Sequence, residues 1–527
     1  MMQVYDRVLG SNSMSTLLML TLLAVVLFIT LGLLEWIRSQ ILVRVSARFD
    51  LLLNERLYRV LFRQALVSGG KSSAQPLNDL LSLRQFLTGN GLFAFFDAPW
   101  VPIYVALLFL FHSSFGMVAV ISAILLVLLA IWNEKATHDD LEQANRVSVE
   151  SSNVTTRNLR NAEIVHALGM LPALLSRWKE KQQNLIILQA KASTKAGLIS
   201  ALSKTYRLTI QSLILGLGAW LAIDKEISPG LMIGGSILLG RALAPIDLMI
   251  GTWKQFLTAR TAYERLNTLL AQFPPETERM PLPAPKGALS AEQAVVVPPG
   301  TKAAVIKGVN FLISPGTFVA LIGPSASGKS TLARALLGIW PTANGSLRLD
   351  GAEVWQWDRS LIGPYVGYLP QDIELFDGTI ADNIARFGEL DSEKVVAAAK
   401  ATGVHDMILH LPQGYDTEIG STGGALSAGQ RQRIGLARAL YGDPVLVVLD
   451  EPNSNLDEQG EIALGQALAT IKQRGCTVIV ITHRMGVLGL TDRIMILNDG
   501  QLVMDGPRDD VLAKLQQRSM QKVDESS

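Results

Sequence analysis

Cysteine and charge are both scarce in this chain of 527 residues. The one cysteine, Cys476, excludes a disulfide framework and a cluster of thiolate metal ligands, and we expect it to be a small buried residue at the start of a strand. Charged residues make up 18% of the chain, against about 25% in soluble globular proteins, and the mean hydropathy is +0.29. This composition disfavours a purely soluble protein and places part of the chain in a lipid bilayer.

The net charge of +1 conceals two unlike halves. Residues 1–270 contain 25 basic and 17 acidic side chains and are strongly apolar, whereas the remaining residues contain 22 basic and 29 acidic ones. The composition of the second half is that of a soluble domain. We therefore predict a transmembrane domain over residues 1–270, followed by a soluble domain.

Five apolar segments are candidates for membrane spans, because a helix needs about 20 apolar residues to cross the hydrocarbon core. They cover approximately residues 16–36, 98–112, 116–133, 205–223 and 229–253. Arginines follow the first segment while the turn at 112–116 is uncharged, which predicts that the arginine side is cytoplasmic. Residues 133–203 have a polar, helical composition. The predicted fold class of this half is an all-α polytopic membrane domain with long cytoplasmic helices.

Arg241 and Asp247 lie inside the last apolar segment, where an ionisable side chain costs about 2.5–3.5 kcal/mol on insertion scales. Their spacing puts them on different faces of one helix, so they do not pair with each other. They belong either to a polar translocation path or to an ion pair with a neighbouring helix. The sequence favours neither interpretation.

A proline-rich stretch separates the two halves. Residues 273–285 contain five prolines, and each of them lacks a backbone donor and clashes with the preceding helical turn. We predict a linker over residues 271–290. The soluble domain is then expected over residues 291–515, with a polar tail over residues 516–527.

An apolar strand sequence at 317–322 leads into G-P-S-A-S-G-K-S and then into a helix-forming stretch. The pattern G-x-x-x-x-G-K-S between a strand and a helix is typical of a phosphate-binding loop, whose backbone N–H groups wrap the phosphates of a nucleotide. Lys329 would reach the β- and γ-phosphate oxygens, and Ser330 would be a ligand of Mg²⁺. The candidate phosphate-binding residues are Gly323, Pro324, Ser325, Ala326, Ser327, Gly328, Lys329, Ser330 and Thr331.

A second apolar strand, at 445–449, ends in the paired carboxylates Asp450 and Glu451. Asp450 would hold Mg²⁺ through water, and Glu451 would polarise the attacking water as a general base. Together with the phosphate loop, this pair predicts a nucleoside triphosphatase with an α/β P-loop fold.

Three further elements indicate the kind of triphosphatase. The sequence LSAGQ at 426–430 precedes a helix, and Gln371 and His483 each follow a strand. With these residues the second half resembles the nucleotide-binding domain of an ABC transporter. LSAGQ is similar to the LSGGQ signature of that family, Gln371 to its Q-loop glutamine, SNLD at 454–457 to its D-loop, and His483 to its switch histidine.

The resemblance implies that two such domains stack head to tail, with each ATP lying between Lys329 of one chain and Ser427 of the other. It implies Mg²⁺ as the second cofactor. The implied catalytic residues are Glu451, His483 and Gln371; the implied metal ligands are Ser330, Gln371 and Asp450; and the implied nucleotide contacts outside the phosphate loop are Ser427, Gly429, Gln430 and Asp457. Taken without its context, His483 would be a solvated loop histidine.

Two departures from the family pattern stand out. ABC domains usually place an aromatic residue some twenty-five positions before the phosphate loop, where it stacks on adenine, whereas this chain has VVVPPG at 295–300. Exporters also often carry a glutamate a few residues before the signature, where this chain has GSTGG at 420–424. The first departure leaves the adenine without its usual stacking partner. The second implies an altered contact between the nucleotide-binding domain and the membrane-domain loops.

The order of one membrane half and one nucleotide half resembles ABC exporter half-transporters that act as homodimers. Six longer segments of the sequence resemble the ATPase of bacterial type I secretion systems, in particular that of the branch that exports proteases and lipases. The segments that carry this resemblance are MQVYDRVL (2–9), FFDAPWVPIY (95–104), RNAEIVHALGML (160–171), GRALAPID (240–247), VGYLPQDIELFDGTIADNIARF (366–387) and ARALYGDPVLVVLDEPNSNLD (437–457).

This resemblance implies ATP-driven export of an unfolded polypeptide, such as a protease, lipase or repeat-rich protein with a C-terminal signal. It implies a location in the bacterial inner membrane with the nucleotide-binding domain in the cytoplasm, a periplasmic membrane-fusion adaptor, an outer-membrane channel, and no nucleic acid. An exporter of lipids or drugs, or an ATP-gated channel, has the same architecture and remains open. The family has six spans and this chain has five candidates, so the segment preceding 16–36 is expected on the periplasmic side, with the first family helix missing.

Overall fold

The computed structural model describes residues 3–8, 13–69, 73–275, 281–420 and 426–525. The chain forms two compact units. The first comprises Met1–Arg63 and Ser72–Pro275, and the second comprises Gln64–Lys71 and Glu276–Ser527.

The described residues of the first unit form helices joined by short turns, without strands. A short π-helical turn, Val4–Val8, precedes the long helices, and a 3₁₀ turn covers Ala98–Trp100. The α-helices are α1 (Met14–Val67), α2 (Gln75–Thr88), α3 (Asn90–Asp97), α4 (Val101–Phe111), α5 (Ser113–Arg160), α6 (Ala162–Ala167), α7 (Leu171–Ile223) and α8 (Pro229–Gln272).

Five helices among the described residues are long and apolar enough to cross a membrane: α1, the run Gly91–Phe111, α5, α7 and α8. Each of these helices contains one of the five predicted apolar segments, apart from His112 at the end of the second segment. α5, α7 and α8 pack around the fully buried ring of Phe115. Gly218 and Gly235 let two helices approach this ring, because a Cβ at Gly235 would lie 2.7 Å from Phe115 Cε2. Small residues at such crossings are the usual means by which membrane helices pack closely.

The turn between α4 and α5 is shorter than predicted. The expected interruption at 112–116 is a single residue, His112, and the helix resumes at Ser113. The reason is local capping: His112 is extended, and its Nδ1 accepts a hydrogen bond from the backbone N–H of Ser114 at 3.2 Å. The Nε2 of His112 faces Glu226 at 3.1 Å.

Asp247 contacts a neighbouring helix. Its carboxylate accepts a hydrogen bond from Ser203 Oγ at 2.7 Å and lies 3.5 Å from Nε of Arg207, both on α7. Of the two interpretations of this residue, the structure therefore has the ion pair with a neighbouring helix. Arg241 is exposed in the chain as described.

Within the second unit, residues 281–288 form neither helix nor strand. Its α-helices are α9 (Lys329–Leu336), α10 (Arg359–Ile362), α11 (Ile380–Ile384), α12 (Ser392–Ala401), α13 (His405–Leu409), α14 (Ala428–Leu440), α15 (Glu458–Gln473), α16 (Met485–Leu488) and α17 (Arg508–Glu525). Its strands are β1 (Leu289–Val296), β2 (Ile306–Ile313), β3 (Phe318–Ile322), β4 (Asn344–Leu349), β5 (Ala352–Glu353), β6 (Val366–Leu369), β7 (Gly378–Thr379), β8 (Glu418–Ile419), β9 (Leu446–Asp450), β10 (Thr477–Ile481), β11 (Arg493–Asn498) and β12 (Gln501–Pro507). Three 3₁₀ turns cover Val354–Gln356, Gly363–Tyr365 and Gly414–Asp416.

A six-stranded sheet in the order β12-β11-β3-β10-β9-β6 forms the centre of this unit. β6, β9, β10, β3 and β11 are parallel, and β12 is antiparallel at the edge. The central strands are apolar throughout because helices cover both faces of a parallel sheet. A four-stranded antiparallel sheet, β2-β1-β4-β5, and the pair β7-β8 complete the unit.

The register of the parallel strands brings distant residues together. Ile481 of β10 lies opposite Asp450 of β9 and Leu321 of β3, and Leu369 of β6 lies opposite Leu449 of β9. The carboxyl ends of these strands therefore form one edge, where ligands usually bind in open α/β sheets.

Candidate nucleotide-binding site

The loop between β3 and α9 has a backbone that needs glycine at two positions. Gly323 has φ +157°, and a Cβ there would collide with the backbone carbonyl of Leu497. Gly328, at φ +103°, is the left-handed residue before α9, and a Cβ there would lie 2.9 Å from Ile306 Cδ1. Ala326 also has a positive φ, of 63°. The glycines are thus required by the turn itself, as the phosphate-loop pattern predicts.

Lys329 lies at the first position of α9, and its side chain folds back onto the loop. Its Nζ donates hydrogen bonds to the carbonyls of Gly323 and Pro324, both at 2.8 Å. Burial lowers the pKa of this ammonium, while the nearby carboxylates of Glu451 and Asp450 oppose that shift. An ammonium has three donors, so this one is fixed by two bonds within the loop that it serves.

Ser327 supports the fit of a phosphate group to this loop. Its side chain is only 3% exposed, and its buried Oγ has no hydrogen-bond partner among the described residues. A buried hydroxyl without a partner costs about 1–3 kcal/mol, and a water, an ion or a ligand that supplied the missing hydrogen bond would remove this cost. The loop, the helix start and this hydroxyl together fit the phosphates of a nucleotide.

Asp450 ends β9 at the same edge and is almost completely buried. Burial raises the pKa of its carboxyl group, and a hydrogen bond from Ser330 opposes the shift. The two predicted metal-side groups, the carboxylate and the hydroxyl, are therefore in contact. Oxygen donors of this kind suit Mg²⁺, which prefers one or two protein ligands with substrate phosphates completing its shell.

Glu451 follows Asp450 with an unusual backbone. Its φ is +51°, in the left-handed region that non-glycine residues rarely adopt. Its side-chain Oε2 accepts a hydrogen bond from Gln371 Nε2 at 3.2 Å. The structure thus brings together the predicted general base and the predicted Q-loop glutamine, although the two are far apart in sequence.

His483 lies two residues beyond the end of β10, at the same edge of the sheet, and it is exposed. Gln371, two residues beyond the end of β6, is exposed as well. Both positions leave the side chains accessible to a nucleotide that approaches this edge. Their predicted contacts with the γ-phosphate and the metal remain predictions.

The signature residues form a helix start of their own. Ser427 caps α14, its Oγ accepts from the N–H of Gln430, and its own N–H donates to Gln430 Oε1 at 2.7 Å. A Cβ at Gly429 would lie 2.8 Å from the carbonyl oxygen of Asn455. Among the described contacts, these residues meet one another and the D-loop, not the phosphate loop of the same chain. This is the arrangement expected if they serve a second chain.

Asp457 caps α15. Its carboxylate accepts the N–H of Gly460 at 2.9 Å, so within the chain it is a helix cap. A nucleotide contact for Asp457 remains a prediction.

Two segments depart from the family pattern, one before the signature and one at the end of β1. The segment 421–425, before the signature, lies outside the described residues. Residues 295–300 are described: β1 ends at Val296, and Thr301 closes a turn by donating its N–H to the carbonyl of Pro298. The sequence contains no aromatic residue from 274 to 310, so this hairpin offers only aliphatic side chains and proline rings to a base.

Two polar residues with several hydrogen bonds were not predicted: Gln432, which is buried beside the site, and Arg386, which is half-buried at the amino end of β6. Gln432 of α14 is 1% exposed and bonds to the loop after β9. Arg386 donates to four backbone carbonyls, those of Gly363, Val366, Arg438 and Ala439. A polar residue on the apolar face of an amphipathic helix was the available signal for Gln432, whereas no local signal marks Arg386.

Comparison with known proteins agrees with this geometry. Residues 1–242 match the family described as the ABC transporter transmembrane region, and residues 306–454 match the family described as ABC transporter. The type I secretion system ATP-binding protein PrsD of Rhizobium meliloti is 46% identical over 517 residues, which are 98% of this chain and 89% of the relative.

More distant relatives match over the same length. The cyclolysin secretion/processing ATP-binding protein CyaB of Bordetella pertussis is 28% identical, over 97% of this chain and 72% of its own. The leukotoxin translocation ATP-binding protein LktB of Mannheimia haemolytica is 27% identical, over 97% and 73%.

A solved structure of a bacterial Atm1-family ABC exporter with ATP bound has a TM-score of 0.81 and 22% identity, covering 97% of this chain and 93% of that one. It confirms the predicted fold class of a helical membrane domain followed by an α/β ABC domain. With five apolar helices among its described residues and an ABC domain in the same polypeptide, this is a multi-pass membrane protein that binds nucleotide. The chain belongs to the ABC transporters, as an ATP-hydrolysing exporter half-transporter of the type I secretion kind.

Proposed function

We propose that this protein drives the export of an unfolded polypeptide with a C-terminal signal across the bacterial inner membrane, as the ATPase of a type I secretion system. The observation that carries the proposal is the 46% identity to PrsD over 98% of the chain. The phosphate loop, the Asp450–Glu451 pair and Gln371 at one edge of the sheet support it. Of the more distant relatives, CyaB is named for the secretion of cyclolysin and LktB for the translocation of leukotoxin. These names support a polypeptide cargo.

The chemistry follows from the residues at the sheet edge. Lys329 and the N–H groups that begin α9 bind the β- and γ-phosphates, and their positive charge stabilises negative charge in the transition state. Glu451 accepts a proton from the attacking water, and Gln371, bonded to Glu451 at 3.2 Å, orients the carboxylate. Ser330 and Asp450 would hold Mg²⁺, which neutralises charge between the β- and γ-phosphates when bound.

The site is completed by a second copy of the chain. The described contacts of Ser427 and Gly429 are with their own helix and with the D-loop. The resemblance to ABC transporters implies that these two residues meet the nucleotide held by the partner chain. A homodimer with two such composite sites is the functional unit. A periplasmic membrane-fusion adaptor and an outer-membrane channel continue the path, and the nucleotide-binding domains are cytoplasmic. No nucleic acid takes part.

Inverted vesicles containing the purified protein test this function. The cargo is a repeat-rich protease from the same organism, kept unfolded, and its protection from an added protease is measured after ATP addition. We expect protection with the wild type, none with Glu451→Gln, and none for cargo that lacks its C-terminal segment. ATP-driven uptake of a lipid or a dye, without protection of the polypeptide, would contradict the proposal.

A further inference from the structure

Gln432 is a buried amide whose hydrogen bonds join two functional elements. It lies on α14, the helix that Ser427 caps, and is 1% exposed. Its Nε2 donates to the backbone carbonyl of Pro452 and, at 3.3 Å, to that of Glu451. Its Oε1 accepts the N–H of Asn455 at 2.9 Å. Both ends of the amide are therefore bonded to the loop that follows β9.

That loop contains the strained backbone of the general base. A non-glycine residue in the left-handed region costs about 1–3 kcal/mol and persists only where its surroundings fix it. At Glu451, with φ +51°, the N–H donates to the carbonyl of Ile481 at 3.0 Å, and the carbonyl accepts from Gln432. The carbonyl also accepts the N–H of Ser454 at 3.2 Å, so Gln432 is one of three groups that hold the Glu451 backbone in place.

The same helix touches the loop at a second point. Gly429 lies one turn before Gln432, and a Cβ there would lie 2.8 Å from the carbonyl oxygen of Asn455. The helix thus approaches the loop closely at Gly429 and is hydrogen-bonded to it at Gln432, two points one helical turn apart. The first turns of α14 and residues 451–455 are therefore constrained to move together.

We propose that Gln432 is a positioning residue that couples the two ATP sites of the dimer. The inference rests on the proposed function, in which Ser427 meets the partner's nucleotide while Glu451 acts on the nucleotide of its own chain. A movement of α14 when its signature engages the partner's nucleotide is transmitted through the Gln432 amide to the backbone of Glu451. Hydrolysis in one site then depends on occupancy of the other.

Three variants of the full-length protein test this coupling. Gln432→Met keeps the size of the side chain and removes its hydrogen bonds, and Gln432→Glu replaces the amide donor by a carboxylate. Gln466→Met is the matched control, because Gln466 is an exposed glutamine on α15. Each protein is purified in lipid nanodiscs, and turnover and ATP binding are measured separately over a range of ATP concentrations.

We expect Gln432→Met to lower kcat by about tenfold to a hundredfold, the scale expected when a catalytic group is displaced, with ATP affinity within about twofold of the wild type. The Hill coefficient for ATP, above 1 in the wild type, should fall towards 1. The turnover of Gln432→Glu, as a fraction of the wild-type turnover at the same pH, should rise when the pH is lowered from about 8 to about 6. A protonated carboxyl regains a donor for the Pro452 carbonyl. The control should behave as wild type.

The outcomes separate this inference from the proposed function. Unchanged kcat and Hill coefficient in Gln432→Met, or a wild-type Hill coefficient of 1, would overturn the inference alone. A parallel loss of ATP affinity, thermal stability and kcat would reduce Gln432 to a structural role and overturn it too. A wild type without ATPase activity would overturn both. If Gln432→Met does not fold, Gln432→Asn, one methylene shorter, is subject to the same criteria.

Discussion

At the scale of single residues, Lys329 and Glu451 serve the same phosphates in different ways. Lys329 binds the ground state, so Lys329→Ala should weaken ATP affinity by about tenfold or more, the value of a lost charge-assisted hydrogen bond. Glu451 acts in the chemical step, so Glu451→Gln should keep ATP affinity while lowering turnover by about a hundredfold or more. Nucleotide-binding and ATPase assays on the purified protein separate the two effects, and a Glu451→Gln variant with wild-type turnover would refute the assignment.

Burial of the Lys329 ammonium has a consequence for pH dependence. Phosphates bind the charged lysine, so affinity is complete below the pKa of the nucleotide-free protein and is lost as the pH rises through it. Because burial lowers that pKa, ATP affinity should begin to fall below the ordinary lysine value of about 10.4. Equilibrium binding of ATP measured at increasing pH, with a thermal unfolding control at each pH, checks this. Constant affinity up to the ordinary value would contradict it.

Cys476 should be chemically inert in the folded protein. It is buried just before β10, as expected from the sequence, and burial raises the pKa of its thiol to about 12. The reactive species is the thiolate, which is almost absent at neutral pH when the pKa is so high. A maleimide should label the unfolded chain fully and the native chain hardly at all, whereas Gln466→Cys, an exposed control, should label in both states.

At the scale of elements, the helical unit depends on the close approach of α8 to the Phe115 ring. Gly235→Val should destabilise the protein by about 1–3 kcal/mol, because the added side chain meets the ring. Gly251→Val is the matched control: it makes the same change on the same helix, where a Cβ would meet nothing within 4 Å. Thermal unfolding in detergent measures both. Equal destabilisation would show that helix propensity, rather than packing, is responsible.

The nucleotide site was predictable from sequence where its chemistry is local. The phosphate loop needs glycines at fixed spacing next to a strand and a helix, and the carboxylate pair ends an apolar strand, so both patterns are visible within ten residues. Arg386 was not predictable, since its partners lie in separate elements that only the folded chain brings together. Gln432 is marked in the sequence as a polar residue on an apolar helix face, but its partners in the loop after β9 are not. The turn at His112 was predicted too long because a one-residue helix cap leaves no compositional trace.

At the scale of the whole molecule, the basic, apolar half of the sequence and the acidic half correspond to two units with different surroundings. In the helical unit many large apolar side chains are exposed, including most of the first half of α1, which a bilayer or a second copy of the chain must cover. In the second unit, the described contacts of the signature residues do not include the phosphate loop. The proposed dimer in the membrane accounts for both features.

Mixing two inactive variants tests that dimer directly. Lys329→Ala removes the phosphate contact of one composite site per chain, and Ser427→Arg blocks the signature that the partner's site requires. In a mixed dimer both defects fall in the same site, so the other site keeps Lys329 from one chain and Ser427 from its partner. Random pairing makes about half of the dimers mixed, which predicts about a quarter of wild-type ATPase activity if each site works independently. Less activity would measure the dependence between sites, and none at any mixing ratio, with mixed dimers confirmed by two affinity tags, would contradict the composite site.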